Sequence, residues 1–219
     1  MSKRHTHLAI YEKAYGALTR PSDPRLETLK VDIVAGRYAL HSTALPNELD
    51  EIAGERGWGL QVMEELLLGG FLEYGPHANR FTRRDRVKVE EQLDSLAAME
   101  SVCLIRMTYT DLKHVRESIW RHQEAVQISL QSADKVDFAI AAQRLLLTIV
   151  AAIARENLLQ RYTILGLPTL AYAWARELSD VPGQVIAEAY DRFSTSFSNQ
   201  DYVAAALDIA ALRRLRQHA

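Results

Sequence analysis

Five basic side chains lie within nine residues in the stretch "RFTRRDRVK", which spans positions 80–88 and contains a single acidic residue. The five are Arg80, Arg83, Arg84, Arg86 and Lys88. Guanidinium and ammonium groups at this density suit the phosphate oxygens of nucleic acid, and such contacts supply much of the affinity of helix-turn-helix proteins for DNA. The run therefore indicates either a phosphate-contacting segment or a solvated linker.

The stretch that precedes this run contains "LQVMEELLLGG" at 60–70, which is predicted to be a helix that ends at its two glycines. Its one side chain suited to a base edge is Gln61, whose amide can pair with adenine. Glu64 and Glu65 would be repelled by phosphates and are typical of a solvated helix face. We therefore expect any contact with DNA to depend on the basic run more than on this helix.

Other residue types that could do chemistry are spaced unfavourably for it. His114 and His122 fall eight residues apart on one predicted helix, about 12 Å along its axis, which is too far for both to bind one ion. Their plain interpretation is solvent exposure, as it is for the adjacent pair Glu90 and Glu91. The sequence contains no Ser-His-Asp order, glycine-rich phosphate loop or His-Glu-x-x-His motif. A helical enzyme is therefore only a third alternative, and no catalysis is predicted.

Composition predicts a folded intracellular protein of one large or two modest domains. The chain has 219 residues, of which 48% are hydrophobic and 25% charged, with a net charge of −2. Cys103 is the only cysteine and lies in an apolar run, so an internal disulfide and a cysteine-based metal cluster are excluded and a buried thiol is expected. No apolar run approaches the roughly 18 residues of a membrane span, and the first residues lack the apolar core of a signal peptide. These features predict a cytoplasmic location.

The elements that must position the basic run are bracketed by proline, glycine and capping residues. Residues 22–24 and Gly36 bracket one predicted helix, Pro46 and Gly57 bracket a second, and the helix at 60–70 is the third. Two short strands around Gly75 then complete the order of a winged helix-turn-helix.

From about Lys88 onward, apolar residues recur with a helical period of 3.6. Breaks are predicted at 131–135, 165–168, 178–183 and 198–201. The fold class is therefore mainly α, with a winged helix-turn-helix domain at 1–87 and an all-helical bundle of six or seven helices at 88–219. The larger aromatic side chains are expected mostly in the core, with one or two as candidates for lining a ligand cavity: Trp58, Trp120, Trp174, Tyr172 and Phe197.

Four stretches together resemble the GntR family of bacterial transcription regulators, in its FadR-like (FCD) branch. They are "LKVDIVAGRYALHSTAL" at 29–45, "GGFLEYGPHANRF" at 69–81, "LAAMESVCLIRM" at 96–107 and "IARENLLQRY" at 153–162. The resemblance implies a repressor-type DNA-binding protein. It also implies a homodimer whose helical domain binds a small organic effector in the bundle interior.

Two departures from the family pattern change what is expected of this chain. The arginine-containing run of the family's reading helix is replaced here by "WGLQVMEELL". The positions at which many FCD domains hold a metal with Asp and His fall on Arg144 and Thr148, and residues 184–216 contain no histidine. No metal and no other cofactor is therefore expected.

The sequence thus predicts a transcription regulator that binds double-stranded DNA. The expected contact residues are Gln61, Arg80, Arg83, Arg84 and Arg86. The alternative is a degenerate family member that no longer reads DNA and acts as a ligand-binding or protein-interaction module.

A homodimer through the helical domain is also expected. Two apolar runs exceed what one layer of helices needs, "LLLTIVAAIA" at 145–154 and "YVAAALDIAAL" at 202–212, and the alanines at 204–206 would permit close helix packing.

Overall fold

The computed structural model describes residues 3–39, 42–82 and 86–215, so Arg83 and Arg84 lie outside the described residues. The described part is mainly α-helical, with one small hairpin, as predicted. Its helices are α1 (Lys3–Ala17), α2 (Pro24–Ala35), α3 (Pro46–Ala53), α4 (Trp58–Leu68), α5 (Arg86–Met107), α6 (Arg116–Gln131), α7 (Lys135–Ile153), α8 (Glu156–Leu165), α9 (Pro168–Glu177), α10 (Gly183–Ser198) and α11 (Tyr202–Arg213). The strands are β1 (Leu72–Glu73) and β2 (Arg80–Phe81), which pair antiparallel.

Helix α2 begins and ends where its bracketing residues predict. The Asp23 carboxylate accepts a hydrogen bond from the Arg25 backbone N–H (2.9 Å), and Pro24 supplies the first helical residue. Gly36 ends the helix with φ 78°, a left-handed conformation that glycine adopts without a Cβ penalty.

Helix α3 ends at Gly54, three residues before the predicted Gly57, and the chain turns sharply into α4. The Asp50 carboxylate holds this turn by accepting the N–H groups of Gly57 and Gly59, both at 2.7 Å. These bonds lower the pKa of Asp50. A Cβ at position 59 would lie 2.1 Å from the Pro46 carbonyl oxygen, so the close crossing of α3 and α4 requires glycine there.

The helical bundle of α5–α11 is built around α7. This helix is long and apolar enough to cross a membrane by length and composition, but residues 145–150 are all buried among the surrounding helices. Helix α7 packs against α5, α6 and α9, while α5 also packs along α11. The run at 145–154, which we expected to favour subunit contact, thus belongs mainly to the core of its own chain. Cys103 is buried in α5, as predicted, and burial raises the pKa of its thiol to about 11.

All four predicted breaks separate helices of the bundle, and two further breaks were not predicted. The chain leaves the helix at 108–115 and again at 154–155. His114 therefore lies in a loop and His122 on α6, so the expectation that they share one helix is wrong. The sequence "TYTDLKHV" contains neither glycine nor proline, which explains why the apolar periodicity predicted one continuous helix across it.

The winged-helix region and the bundle meet along α9. Thr169 Oγ1 donates to the carbonyl oxygens of Gly69 and Gly70, at 2.9 and 3.2 Å, which fixes the end of α4. Tyr172 packs edge-on against Phe71, and Arg176 Nη1 donates to a carbonyl of α2 at 2.5 Å. Helix α1 packs against α8 and α7. The segment that precedes the winged helix is therefore held by the bundle.

Candidate nucleic-acid interface and ligand sites

The exposed face of α4 carries no basic side chain. Leu60, Gln61 and Glu64 are exposed, and Leu60 has 70% of its surface accessible. Lys30 of α2 is only 2% exposed, and its ammonium donates to the Glu65 carboxylate at 2.5 Å. This lysine therefore supports the packing of α4 on α2 and cannot reach a duplex.

The segment that contains α3, α4 and the hairpin is acidic. Residues 42–82 contain seven carboxylates against two basic residues, Arg56 and Arg80, which gives a net charge of −5. A surface of this sign repels the phosphate backbone of DNA at low ionic strength.

Helix α1 flanks the same face of α4. A cleft of about 410 Å³ lies between them, with Gln61 and Glu64 on one side and Glu12 and Lys13 on the other. A duplex that approached Gln61 would therefore also meet α1.

The wing places its basic residues unequally. Arg80 is half-buried, and its side chain folds against the turn at Gly75. The two are so close that a Cβ added at Gly75 would lie 2.8 Å from Arg80 Nε. Arg86 is exposed, and its Nε lies 3.3 Å from carboxylate oxygens of both Glu90 and Glu177. The charge of Arg86 is therefore already balanced by α5 and α9. Arg83 and Arg84 fall outside the described residues, so the structure does not place them.

The positions that correspond to the family's metal ligands face α1. The Arg144 guanidinium stacks over the Tyr15 ring at 4.2 Å, and a hydrogen bond of 3.3 Å joins Thr148 to Tyr11. His122 Nε2 also contacts the Tyr15 hydroxyl at 2.9 Å, and its Nδ1 donates to the Ser118 carbonyl, which leaves Nε2 as the acceptor. Within the described ranges, no three His, Cys, Asp or Glu side chains converge as metal ligands would.

The bundle interior holds a network of polar groups. Arg213 Nη2 donates to Glu100 Oε1 and to Gln143 Oε1, both at 2.6 Å, and the Tyr162 hydroxyl donates to Glu100 at 2.6 Å. The Arg213 guanidinium also stacks on Trp174, at 4.4 Å from the ring centroid. Arg213 and Glu100 each have 1% of the side chain accessible.

The network carries fixed charges and two unused donors. Burial disfavours the charged form of Arg213, but the neighbouring Glu100 outweighs it and raises the pKa of the guanidinium. Burial, together with Glu100, raises the pKa of Tyr162 well above its usual value, so this tyrosine stays protonated. Arg213 Nη1 and Trp174 Nε1 are buried and have no hydrogen-bond partner among the described residues.

Sequence reasoning missed this network because its partners are far apart in the chain. Glu100 and Arg213 are separated by 113 residues, and Arg213 follows immediately after an apolar run. An arginine that continues the apolar stripe of α11 was the available signal.

A second kind of site lies at one end of the bundle, where α5, α6, α10 and α11 approach one another. A cavity of about 330 Å³ there is lined by Trp120 and Phe197, among others. Trp58, Trp174 and Tyr172 are buried, as expected of most of these aromatic side chains, whereas Trp120 is 64% exposed. The expectation that one or two aromatic side chains line a cavity fits Trp120 and Phe197.

These elements define a winged helix followed by a seven-helix bundle of the kind found in GntR-type regulators. No family model matches the chain, and no curated protein matches it in sequence. One similar solved structure is that of Lar, which controls the expression of the Listeria monocytogenes agr system and mediates virulence. It has a TM-score of 0.62 and 9% identity, with 89% of this chain and 94% of Lar covered.

Another similar solved structure is that of Escherichia coli McbR/YncC. It has a TM-score of 0.57 and 12% identity, with 95% of this chain and 93% of McbR/YncC covered. Both neighbours are GntR-type regulators with helical FCD domains. At these identities the likeness establishes the fold.

Proposed function

We propose that this protein is a cytoplasmic transcription regulator whose helical bundle senses a small organic molecule. The observation that carries the proposal is the extent of the likeness. It covers the winged helix and the bundle together, over about nine-tenths of each chain. The docking of α9 on the end of α4 supports a link between the two parts. Hydrogen bonds from Thr169 would transmit a shift of the bundle directly to the winged helix.

Contact with DNA, in this proposal, depends on the wing rather than on α4. Arg80 and the neighbouring Arg83 and Arg84 can neutralise phosphates, whereas the exposed face of α4 offers only Gln61 as a partner for a base. We expect weak discrimination between sequences, because one glutamine supplies at most about 1–3 kcal/mol at one base pair.

The test is a gel-shift series with labelled promoter DNA at several salt concentrations. The Arg83→Ala/Arg84→Ala variant should lose affinity on every sequence and reduce the salt slope by up to about two units. Gln61→Ala should change affinity on few sequences. If Gln61→Ala alone abolishes binding, α4 reads DNA and the assignment to the wing is wrong.

A homodimer through the bundle is part of the same proposal. Helices α5 and α11 pack side by side and leave several apolar side chains exposed: Val102, Ile105, Val203 and Leu207. Val102 and Ile105 are three residues apart on α5, and Val203 and Leu207 are four apart on α11, so each pair shares one face of its helix. Exposed apolar side chains that cluster in this way are typical of protein–protein contacts. Light scattering on the full chain should give a dimer that Leu207→Glu dissociates. Ile128→Glu, an exposed position on α6, should leave the dimer intact.

The second candidate function is a module that no longer binds DNA, and the net charge of −5 over residues 42–82 favours it. In that case the acidic face of α4, with exposed Leu60 and Leu68, would contact a protein. Absence of any gel shift by the wild type at low salt, on its own promoter and on unrelated DNA, would establish this alternative.

A further inference from the structure

We infer that the cavity at the end of the bundle binds a small carboxylate ligand with an apolar or aromatic body. The inference rests on the proposed sensing function and assigns the sensed molecule to this cavity. The site lies between α6, the end of α10 and the start of α11, apart from the polar network around Arg213. No metal or other cofactor is required, because the groups that would recognise the ligand are side chains of this chain.

The size and walls of the cavity suit an organic molecule of this class. Its volume of about 330 Å³ falls within the range of small-molecule sites. Trp120, Phe197 and Tyr202 line it together with the aliphatic side chains Ile119 and Leu112. Phe197 and Tyr202 are in edge-to-face contact, with their ring centroids 5.6 Å apart. Flat apolar walls of this kind favour an aromatic ring or a short alkyl chain.

The charge of the cavity points to an anion. Arg116 lines it at the first residue of α6, and in the part of the chain that the structure describes its guanidinium has no ion-pair partner. None of the lining residues is Asp or Glu. Arginine suits a carboxylate because its planar fork can donate two parallel hydrogen bonds to the two oxygens.

The backbone around Arg116 adds to this preference. Val115 precedes α6 and provides no side-chain hydrogen bond to the first turn, so this end of the helix keeps its partial positive charge. Glu117 is the acidic residue of that turn; its side chain is 85% exposed and lies 3.9 Å from Arg121. The Glu117 carboxylate is therefore paired with Arg121 and leaves Arg116 available.

Two features of this cavity are unfavourable for the free protein, and a bound ligand would explain both. Gln200 lines the cavity and has φ 61°, a left-handed conformation in which glycine would be unstrained at the end of α10. A glutamine in this position keeps a side-chain amide at the cavity rim, where it can hydrogen-bond to a ligand. Trp120 exposes 64% of its surface, and a bound apolar body would cover it.

The experiment uses the full chain and the intrinsic fluorescence of Trp120. Trp58 and Trp174 are 2% and 0% exposed, so acrylamide quenching reports mainly on Trp120. The probes are phenylacetate and octanoate, with phenylacetamide and octanamide as uncharged counterparts, and calorimetry gives the affinities. At least one carboxylate should protect Trp120 from acrylamide and bind at least tenfold more tightly than its amide.

Variants separate recognition from folding. Arg116→Gln should weaken carboxylate binding at least tenfold, while Arg121→Gln on the same helix should change it less than twofold. Trp120→Phe should abolish the protection from acrylamide quenching that the ligand gives, and should retain binding by calorimetry. Circular dichroism of each variant checks that the bundle is folded.

Three outcomes would overturn the inference. The first is no carboxylate binding up to about 10 mM, a concentration that exceeds even millimolar dissociation constants. The second is equal binding of the acid and its amide. The third is acrylamide quenching of Trp120 that depends only on protein concentration, which would mean that a second copy of the chain covers Trp120. Carboxylate binding that leaves the gel shift unchanged would instead contradict the proposed regulatory function and leave the binding site standing. A normal gel shift without carboxylate binding would contradict the binding site and leave the proposed regulatory function standing.

Discussion

The winged-helix region and the far end of the bundle differ in whether their basic side chains are paired with carboxylates. In the winged helix, Lys30 and Arg25 are paired with Glu65 and Glu55, and the surface that remains is acidic. At the end of the bundle, Arg116 has no ion-pair partner among the described residues and faces an aromatic cavity. The turn that joins α3 to α4 keeps its hydrogen bonds, and Lys30 and Arg25 are used in ion pairs within the fold.

This difference teaches that a fold and the chemistry of its surface can change separately. The hydrogen bonds that Asp50 accepts from Gly57 and Gly59, and the close approach at Gly59, preserve the crossing of α3 and α4. No arginine on α4 contributes to this crossing. A function assigned from the fold of this region therefore needs a test on its surface.

The largest expected effect separates a buried charge of the bundle from an exposed one. Arg213→Ala leaves Glu100 charged and buried, so we expect the free energy of unfolding to fall by about 3–5 kcal/mol. Arg214→Ala is the matched control, since Arg214 pairs with Asp94 on the surface and such pairs contribute about 0–1 kcal/mol. Urea denaturation of both variants measures the difference, and equal losses would contradict the burial argument.

The double variant Glu100→Leu/Arg213→Met sharpens the same point. Replacing both charges by apolar side chains should recover much of the lost stability, because no uncompensated charge remains. A double variant as unstable as Arg213→Ala would indicate that the network has a role in packing beyond its charges.

The second effect concerns the backbone of the winged helix. Gly59→Ala should destabilise the protein by about 1–3 kcal/mol, because the added Cβ would collide with the Pro46 carbonyl oxygen. Gly16→Ala in α1 is the control. A Cβ there meets nothing within 4 Å, and alanine should stabilise the helix by about 0.5–1 kcal/mol. Thermal unfolding that shifts equally for both would mean that α3 and α4 cross less closely than described.

The third effect tests whether charge alone separates this surface from a DNA-binding one. Leu60→Arg/Glu64→Arg adds three positive charges to the exposed face of α4. We expect affinity for unrelated duplex DNA to rise and the salt slope to steepen by up to about two units. Glu188→Arg on the exposed face of α10 is the control and should have little effect. An unchanged affinity would show that α1 blocks access to α4.

The smallest effect is a dependence on pH at the contact between α1 and the bundle. Burial, with contributions from Arg144 and Arg121, lowers the pKa of His122 below its value in the unfolded chain. The unfolded state then binds the proton more readily, so this contribution to stability is present above about pH 6.5 and decreases as the pH falls. The change cannot exceed about 1.4 kcal/mol per pH unit for one proton.

The check is urea denaturation of the wild type, His122→Gln and His114→Gln at several pH values. His122→Gln should flatten the acid side of the stability profile, and His114→Gln, in the 108–115 loop, should leave it unchanged. An identical decrease in all three proteins would assign the pH dependence to other groups.

Local signals in the sequence predicted much of the fold. Asp23, Pro24 and Gly36 bracket α2 as expected, and the breaks of the bundle that contain turn residues were all found. The loop at 108–115 was missed because it lacks glycine and proline. The end of α3 was misplaced because both Gly54 and Gly57 adopt left-handed conformations, and periodicity alone does not say which one ends the helix.

The candidate sites were less predictable because they depend on pairs distant in sequence. Exposure of Trp120 follows from which face of α6 turns toward α7, and Ile119 takes the buried position beside it. The balanced charge of Arg86 depends on Glu177, a residue of α9 that no local pattern connects to the wing.

The contact of α1 with α7 has a consequence for how the chain is made. Tyr11 and its partner Thr148 are 137 residues apart, so α1 leaves the ribosome well before the surface that it covers exists. At typical rates of synthesis this interval lasts roughly 7–27 s. During it the winged helix can form from its own local contacts, while α1 remains unpaired. The docking of α1 therefore occurs only after α7 and α8 have been made, and a product truncated before them would expose α1 to proteases.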